Sequence, residues 1–268
     1  MEAASVTRAP APAAWRTNVA TLAALVARAK NELLRVPGAA IPGVLAPTIF
    51  FLGLNGVFGN LVQLRGFNTD NYLSFIIPIS MLQGAGFTGA ATGVNLARDI
   101  EQGWFDRLMA SPTPRWALLA GMVLSACARA LIPAALVLIV ALILGAHFPG
   151  LLGLLLAALF VAGMAAVAAG WGTMLALRYR SQSAAPLMQA GMFILILFTA
   201  AYAPLDLLQG WLHDIASVNP VTQIVEAIRQ GFVGGITWQD TWQGLVALVA
   251  LMALMLTAAL RGMVRFNN

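Results

Sequence analysis

Charge is scarce in this chain of 268 residues: Asp, Glu, Lys and Arg make up 9% of it, while 60% is hydrophobic. A soluble domain carries about 25% charged residues, so this composition excludes an ordinary water-soluble fold. Lysine is rarer still. Lys30 is the only one, and Leu-Val-Ala-Arg-Ala precedes it. A nucleotide-binding P-loop needs Gly-x4-Gly-Lys-Ser/Thr, whose amides and lysine hold the phosphates; this sequence cannot build one. The single cysteine, Cys127, excludes an intrachain disulfide. His147 and His213 stand far apart with no ligand spacing around them, so no metal site is expected. The acidic residues avoid the centres of the apolar runs. That argues against an ion-driven secondary transporter, which uses a midplane carboxylate or a broken helix, and against an intramembrane hydrolase. No secretory signal pattern is visible: residues 1–14 are Ala/Pro-rich, precede any apolar core and read as a disordered tail.

What the chain does have is long apolar runs. They are continuous rather than alternating, which excludes a β-barrel and predicts an all-α membrane protein. Six transmembrane helices are expected, over about 39–60, 72–97, 122–144, 150–177, 186–205 and 239–260. Ahead of them, Trp15, Val19, Leu22, Val26, Ala29 and Leu33 recur at helical spacing over 15–36, with charged residues off that stripe. An amphipathic interfacial helix, or an ordinary juxtamembrane helix without a partner, fits this pattern. Residues 15–268 therefore read as one transmembrane domain. Arg8, Arg16, Arg28, Lys30, Arg35, Arg98, Arg107, Arg115, Arg178, Arg180, Arg261 and Arg265 fall on one side of this arrangement, and Arg65 and Arg229 on the other. The positive-inside rule then puts both termini in the cytoplasm of a multi-pass cell-membrane protein, and the net charge of +5 reports topology rather than nucleic-acid binding. The run from Trp116 to Gly145 exceeds one upright span, so its first part is expected in the cytoplasmic interface, with Arg129 snorkelling or hydrogen-bonded. Gly89-x-x-x-Gly93 on the second span, and Ala162, Ala166 and Gly170 on the fourth, predict close helix packing.

Two segments are larger than loops need to be. Residues 98–115 form the only charge-dense internal block, ending at Pro112 and Pro114. Its Arg98, Asp99, Glu101, Gly103, Trp104, Phe105, Asp106, Arg107 and Leu108 predict a cytoplasmic helix that docks a soluble partner, with Phe105 as aromatic anchor. Residues 206–238 separate the fifth and sixth spans. Trp211 to Ala216 predicts a short helix, and Asn219-Pro220 restarts the chain as N-cap and first helical residue. Val221, Ile224, Val225, Ile228 and Phe232 then make an apolar face, with Glu226 and Arg229 three apart on the polar side. This predicts a helical hairpin re-entering the outer leaflet, or a surface amphipathic loop, with Asn219, Pro220, Ile224, Glu226, Ile228, Arg229 and Phe232 at an outer gate. Glu226 and Arg229 would line the exit or hold the hairpin to its neighbour.

The stretch Ala97-Arg-Asp-Ile-Glu-Gln-Gly-Trp-Phe-Asp-Arg-Leu-Met-Ala-Ser-Pro-Thr-Pro-Arg115 resembles the coupling helix of ABC-transporter permeases of the type-2 exporter superfamily, close to the daunorubicin-resistance type. A charged pair, a Gly, a hydrophobic residue, a Leu and Ser/Thr-Pro precede an Arg that opens the third span; here Arg98/Glu101, Gly103, Phe105, Leu108, Ser111-Pro112 and Arg115 take those places. The family often has Glu-Arg or Arg-Glu directly before the Gly, where this chain has Glu101-Gln102. Asn219 to Arg229 is similar to the family's outer hairpin. The resemblance implies a non-enzymatic half-transporter whose second half is an identical or paralogous permease. It implies separate ATPase subunits that bind ATP and Mg, and a drug or lipid substrate moved out through the lipid membrane. A permease for a lipid-linked glycan shares the same features, and an ATP-independent scaffold or channel is the alternative from another class.

Overall fold

The computed structural model describes residues 41–63, 67, 69–111 and 113–266, with side chains from Leu45 onward. The expected tail, the interfacial helix, Arg65 and Pro112 lie outside the described residues. Among those described, the secondary structure is entirely helical: α1 (Ile41–Phe58), α2 (Tyr72–Glu101), α3 (Trp104–Met109), α4 (Arg115–Ile143), α5 (Gly150–Tyr179), α6 (Ala185–Leu197), α7 (Trp211–Val218), α8 (Pro220–Val233) and α9 (Trp238–Arg265). Short 3-10 turns follow α1 (Gly59–Gln63), precede α6 (Gln182–Ala184) and precede α7 (Leu205–Leu207).

Among the described residues, five helices are long and apolar enough to cross a membrane: α1 with its 3-10 extension, α2, α4, α5 and α9. The span expected over 186–205 is different. Its α-helix, α6, has 13 residues and ends at Leu197, about 20 Å against a hydrocarbon core of about 30 Å. The expected third span is longer than its sequence-derived bounds. α4 runs for 29 residues from Arg115, continuing through Gly121 and Pro133. Arg129 sits mid-helix and donates from Nη2 to Thr92 Oγ1 on α2 (3.0 Å) and from Nε to the Ser125 carbonyl (3.3 Å), so it is hydrogen-bonded within the bundle.

α2 is the central helix and is enclosed along most of its length, whereas α1 and α9 are largely exposed. Large apolar side chains on the outside, such as Ile49, Ile139, Leu151 and Val249, are more than half exposed. In a bilayer this arrangement needs no burial, since lipid tails solvate such side chains as well as a core does. Packing therefore depends on close approach. A methyl group at Gly93 of α2 would lie 2.2 Å from the carbonyl carbon of Gly172 on α5, and one at Gly89 would lie 2.4 Å from the Ala165 oxygen. The expected close approach at Gly89 and Gly93 is present, with Ala165, Ala168 and Gly172 as its partners. Of the small residues noted on α5, Gly170 meets Met255 of α9, and the Ala162 carbonyl accepts from Cys127 Sγ of α4 (3.1 Å). Helices α2, α4, α8 and α9 all pack against α5, so its small residues are distributed around it rather than lined up on one face.

Gly93→Ala should cost about 1–3 kcal/mol through overpacking and lower the thermal midpoint in detergent. Gly53→Ala, on α1 with nothing within 4 Å of the added methyl, should leave the midpoint unchanged or slightly raised.

Candidate functional site: the basic end and the hairpin end

At the arginine-rich end of the bundle, α2 continues through Glu101, so the charged block is not one helix. Arg98, Asp99 and Glu101 form the last turn of α2. Gly103, at φ 68°, turns the chain into the six-residue α3. That left-handed conformation is open to glycine at little steric cost. Ser111 Oγ and Ser111 N both donate to the Leu108 carbonyl (2.7 and 3.1 Å), closing α3 before α4 begins at Arg115.

Two of the expected docking charges are engaged within the chain. Glu101 accepts from Ser181 Oγ (2.8 Å), Gln182 N (2.9 Å) and Gln182 Nε2 (2.6 Å), and Arg98 Nε donates to Gln182 Oε1 (3.4 Å). These bonds fasten the α5–α6 connection to the end of α2. Phe105 corrects the expectation further. It is fully buried, with its ring edge-on to Phe266 at 5.1 Å, because an aromatic side chain in this corner is better covered by the chain's own last helix. Trp104, Asp106 and Arg107 are exposed, with Leu108 half-buried, and they form the outward face of α3.

Phe266, which the sequence did not single out, completes this end together with Arg180 and Arg115, which the sequence offered only as a topology charge and as the Arg opening the third span. Phe266 packs on Phe105, the Arg180 guanidinium lies 4.3 Å over the Phe266 ring, and Arg180 Nη2 donates to the Phe266 carbonyl (3.2 Å). Arg115 Nη1 donates to the Val264 carbonyl (2.7 Å). The last carbonyls of a helix lack intrahelical partners, and arginines satisfy them well. No spacing rule connects positions 105, 115, 180 and 266, so only the fold could bring them together.

At the opposite end, α7 and α8 are the two expected short helices, and Asn219 Oδ1 caps α8 by accepting from Val221 N (2.9 Å), with Pro220 at the first position. Asn219 also donates from Nδ2 to the carbonyls of Leu195 (2.8 Å) and Phe198 (2.7 Å). The apolar face of α8 is not turned toward lipid. Val221, Ile224, Val225, Ile228 and Phe232 are all buried, packed with α2, α5 and α9. Glu226 is part-exposed and pairs with Arg229, which is itself buried. Arg229 donates from Nη2 to the carbonyls of Ala200 and Ala201 (2.9 Å each) and from Nε to that of Phe75 (3.2 Å), with its guanidinium 3.7 Å over the Phe75 ring. Arg229 thereby ties α8 to α2 and to the segment that follows α6. This geometry also accounts for the short α6. The carbonyls freed where the helix breaks after Leu197 are taken up by Asn219 and Arg229. No group of three or more potential metal ligands is present among the described residues.

Arg229→Ala would leave the buried carbonyls of Ala200 and Ala201 without this donor, at about 1–3 kcal/mol for each group left unsatisfied. A thermal midpoint lowered by several degrees is expected in detergent. Arg229→Lys should recover only part of the loss, because an ammonium cannot reproduce the planar fork and the stacking.

Residues 21–233 match the family model described as ABC-2 type transporter. The chain is 27% identical over 229 residues, 83% of its length and 78% of the relative's, to the daunorubicin resistance ABC transporter permease protein DrrB1 of Streptomyces coeruleorubidus. It is 28% identical over 221 residues, 79% of its length and 75% of the relative's, to the probable doxorubicin resistance ABC transporter permease protein DrrC of Mycobacterium tuberculosis. Against the probable multidrug ABC transporter permease YbhR of Escherichia coli, identity is 25% over 201 residues, 72% of this chain and 53% of that one. With its several membrane-length helices, this chain belongs to the ABC-2 type transporter family.

Proposed function

We propose that this chain is the transmembrane half of an ATP-driven exporter for a hydrophobic or amphipathic substrate, a drug or a lipid, which it moves out of the cytoplasm or inner leaflet. The observation that carries this reading is the outward face of α3. A short helix bearing Trp104, Asp106 and Arg107 stands exposed at the end of the most enclosed helix of the bundle. A mixed-charge face with one aromatic suits the groove of a soluble partner. The partner is an ATPase subunit that holds ATP and Mg; this chain, with no P-loop lysine, supplies the pathway. A second permease half completes that pathway, and the basic end faces the cytoplasm together with both termini. The hairpin of α7 and α8 lies in the outer leaflet at the exit. The drug-resistance permeases among its relatives support the substrate class.

Asp106→Ala combined with Arg107→Ala, both exposed, should weaken ATPase binding at least about tenfold, the size expected of an interface hot spot, with the thermal midpoint of the isolated chain unchanged. Undiminished binding, by co-purification and titration, would remove the docking assignment. Phe105 is unsuitable for that test because its loss opens the chain's own core.

Topology has its own check. In a Cys127→Ser background, a cysteine at Asp214, whose side chain is 84% exposed, should react with an impermeant thiol reagent from outside intact cells. Reaction from the cytoplasmic side alone would reverse the orientation. Thr222 and Gln230 are buried and would report on neither side.

A further inference from the structure

α9 is held at both of its ends by side chains from the two candidate regions. At its basic end, Phe266 lies between the Phe105 ring and the Arg180 guanidinium, and Arg115 caps the Val264 carbonyl. One residue before Val264, Met263 is fully buried, as is Ala259 one turn earlier, so this end is packed into the bundle. α3, the start of α4 and the α5–α6 connection thus converge on one aromatic ring and the last carbonyls of one helix. At its hairpin end, Gln230 of α8 donates from Nε2 to Thr241 Oγ1 (2.7 Å) and accepts from Thr237 N at Oε1 (2.7 Å). Gly244 lies against the Gln223 carbonyl and Ala227 of α8. The neighbour of Gln230 in sequence is Arg229, which holds the open end of α6.

The helix between these joints is suited to carry displacement. α9 has 28 residues, about 42 Å at 1.5 Å per residue. α1, α2 and α4 each contain an internal proline (Pro47, Pro78 and Pro133), and α5 and α9 contain none; of these two, α9 is the one that α3 touches through Phe105 and Phe266. Proline removes a backbone hydrogen bond and is the commonest cause of a kink. A displacement of α3 can be absorbed along α2 or α4 at their prolines, whereas α9 lacks such a hinge.

From this geometry we infer that α9 is the rod linking the ATPase-facing helix to the outer hairpin, and that Phe266 is the positioning residue through which α3 engages it. The inference rests on the exporter reading above. It adds that the last helix moves with α3 and that the hairpin moves with the last helix.

The test uses the complete complex of permease and ATPase in lipid nanodiscs, with Cys127→Ser and a cysteine at Asp214. The labelling rate there is measured with and without a non-hydrolysable ATP analogue. In the parent protein the analogue should change the rate by at least about fivefold, the range of ordinary allosteric coupling. Phe266→Ala should keep ATPase binding within about twofold and bring the labelling ratio close to one, and Phe266→Tyr should restore it. Gln230→Ala, at the far joint, should have the same effect. The double variant should be no worse than either single, since both interrupt one linkage. Should Phe266→Ala not fold, Arg180→Gln removes one side of the same clamp, with the same loss of response expected. A parental labelling ratio retained in Phe266→Ala or Arg180→Gln overturns the inference, as does simple additivity of the two joints. A parental complex that binds ATPase but shows no labelling response also overturns it. A parental chain that binds no ATPase defeats the exporter reading itself.

Discussion

Backbone meets backbone where Gly93 of α2 faces Gly172 of α5, and the rest of the bundle is arranged around that contact. Lipid offers no hydrophobic driving force for one helix to bury against another, so attraction must come from van der Waals contact at short range. Glycine permits that range, and side chains would prevent it. With α2 and α5 seated together, α2 brings Phe75 to one end of the bundle and the Arg98–Glu101 turn to the other. α5 delivers Arg180 to the same end as Glu101. Both candidate regions therefore inherit their geometry from a contact that contains none of their residues.

A second constraint acts at the hairpin end. Backbone polar groups within a membrane must be satisfied by the protein itself. α6 stops at Leu197, where carbonyls are left open, and Asn219 and Arg229 reach them from the helix that follows the break. The arginine is tolerated in a buried position because three carbonyls, a carboxylate and an aromatic face surround its guanidinium. A break in a helix and a charge in a core would each be unfavourable alone; together they satisfy one another. The drug-resistance permeases to which this chain is similar share its family, and the same two ends of the bundle are where its polar chemistry is concentrated.

Much of this architecture was legible in the amino-acid order. The membrane-length helices α1, α2, α4, α5 and α9 follow from uninterrupted apolar runs, and α7 and α8 from Asn219-Pro220 and an apolar repeat. The Gly89/Gly93 approach follows from small residues four apart. Less was legible of the site. Phe105 reads as an exposed anchor beside charged neighbours, but periodicity over six residues cannot tell which face a helix presents. Its partner, Phe266, stands 161 positions away. The apolar face of α8 is visible in sequence, but its neighbour is not: lipid and a protein core demand the same residues.

The sequence by itself determined that this is a helical membrane protein, which runs are apolar enough to span, where its polar blocks lie and which family it resembles, since hydropathy and local motifs depend only on residue type and spacing. Tertiary structure alone decided that α6 ends early, that Arg229 faces inward and that Glu101 holds the α5–α6 connection. It alone decided that Phe105, Arg115, Arg180 and Phe266 meet. Each of those outcomes is a pairing between distant positions, selected by which donor reaches an unsatisfied carbonyl or carboxylate and which ring fills a corner. That selection exists only once the helices have packed.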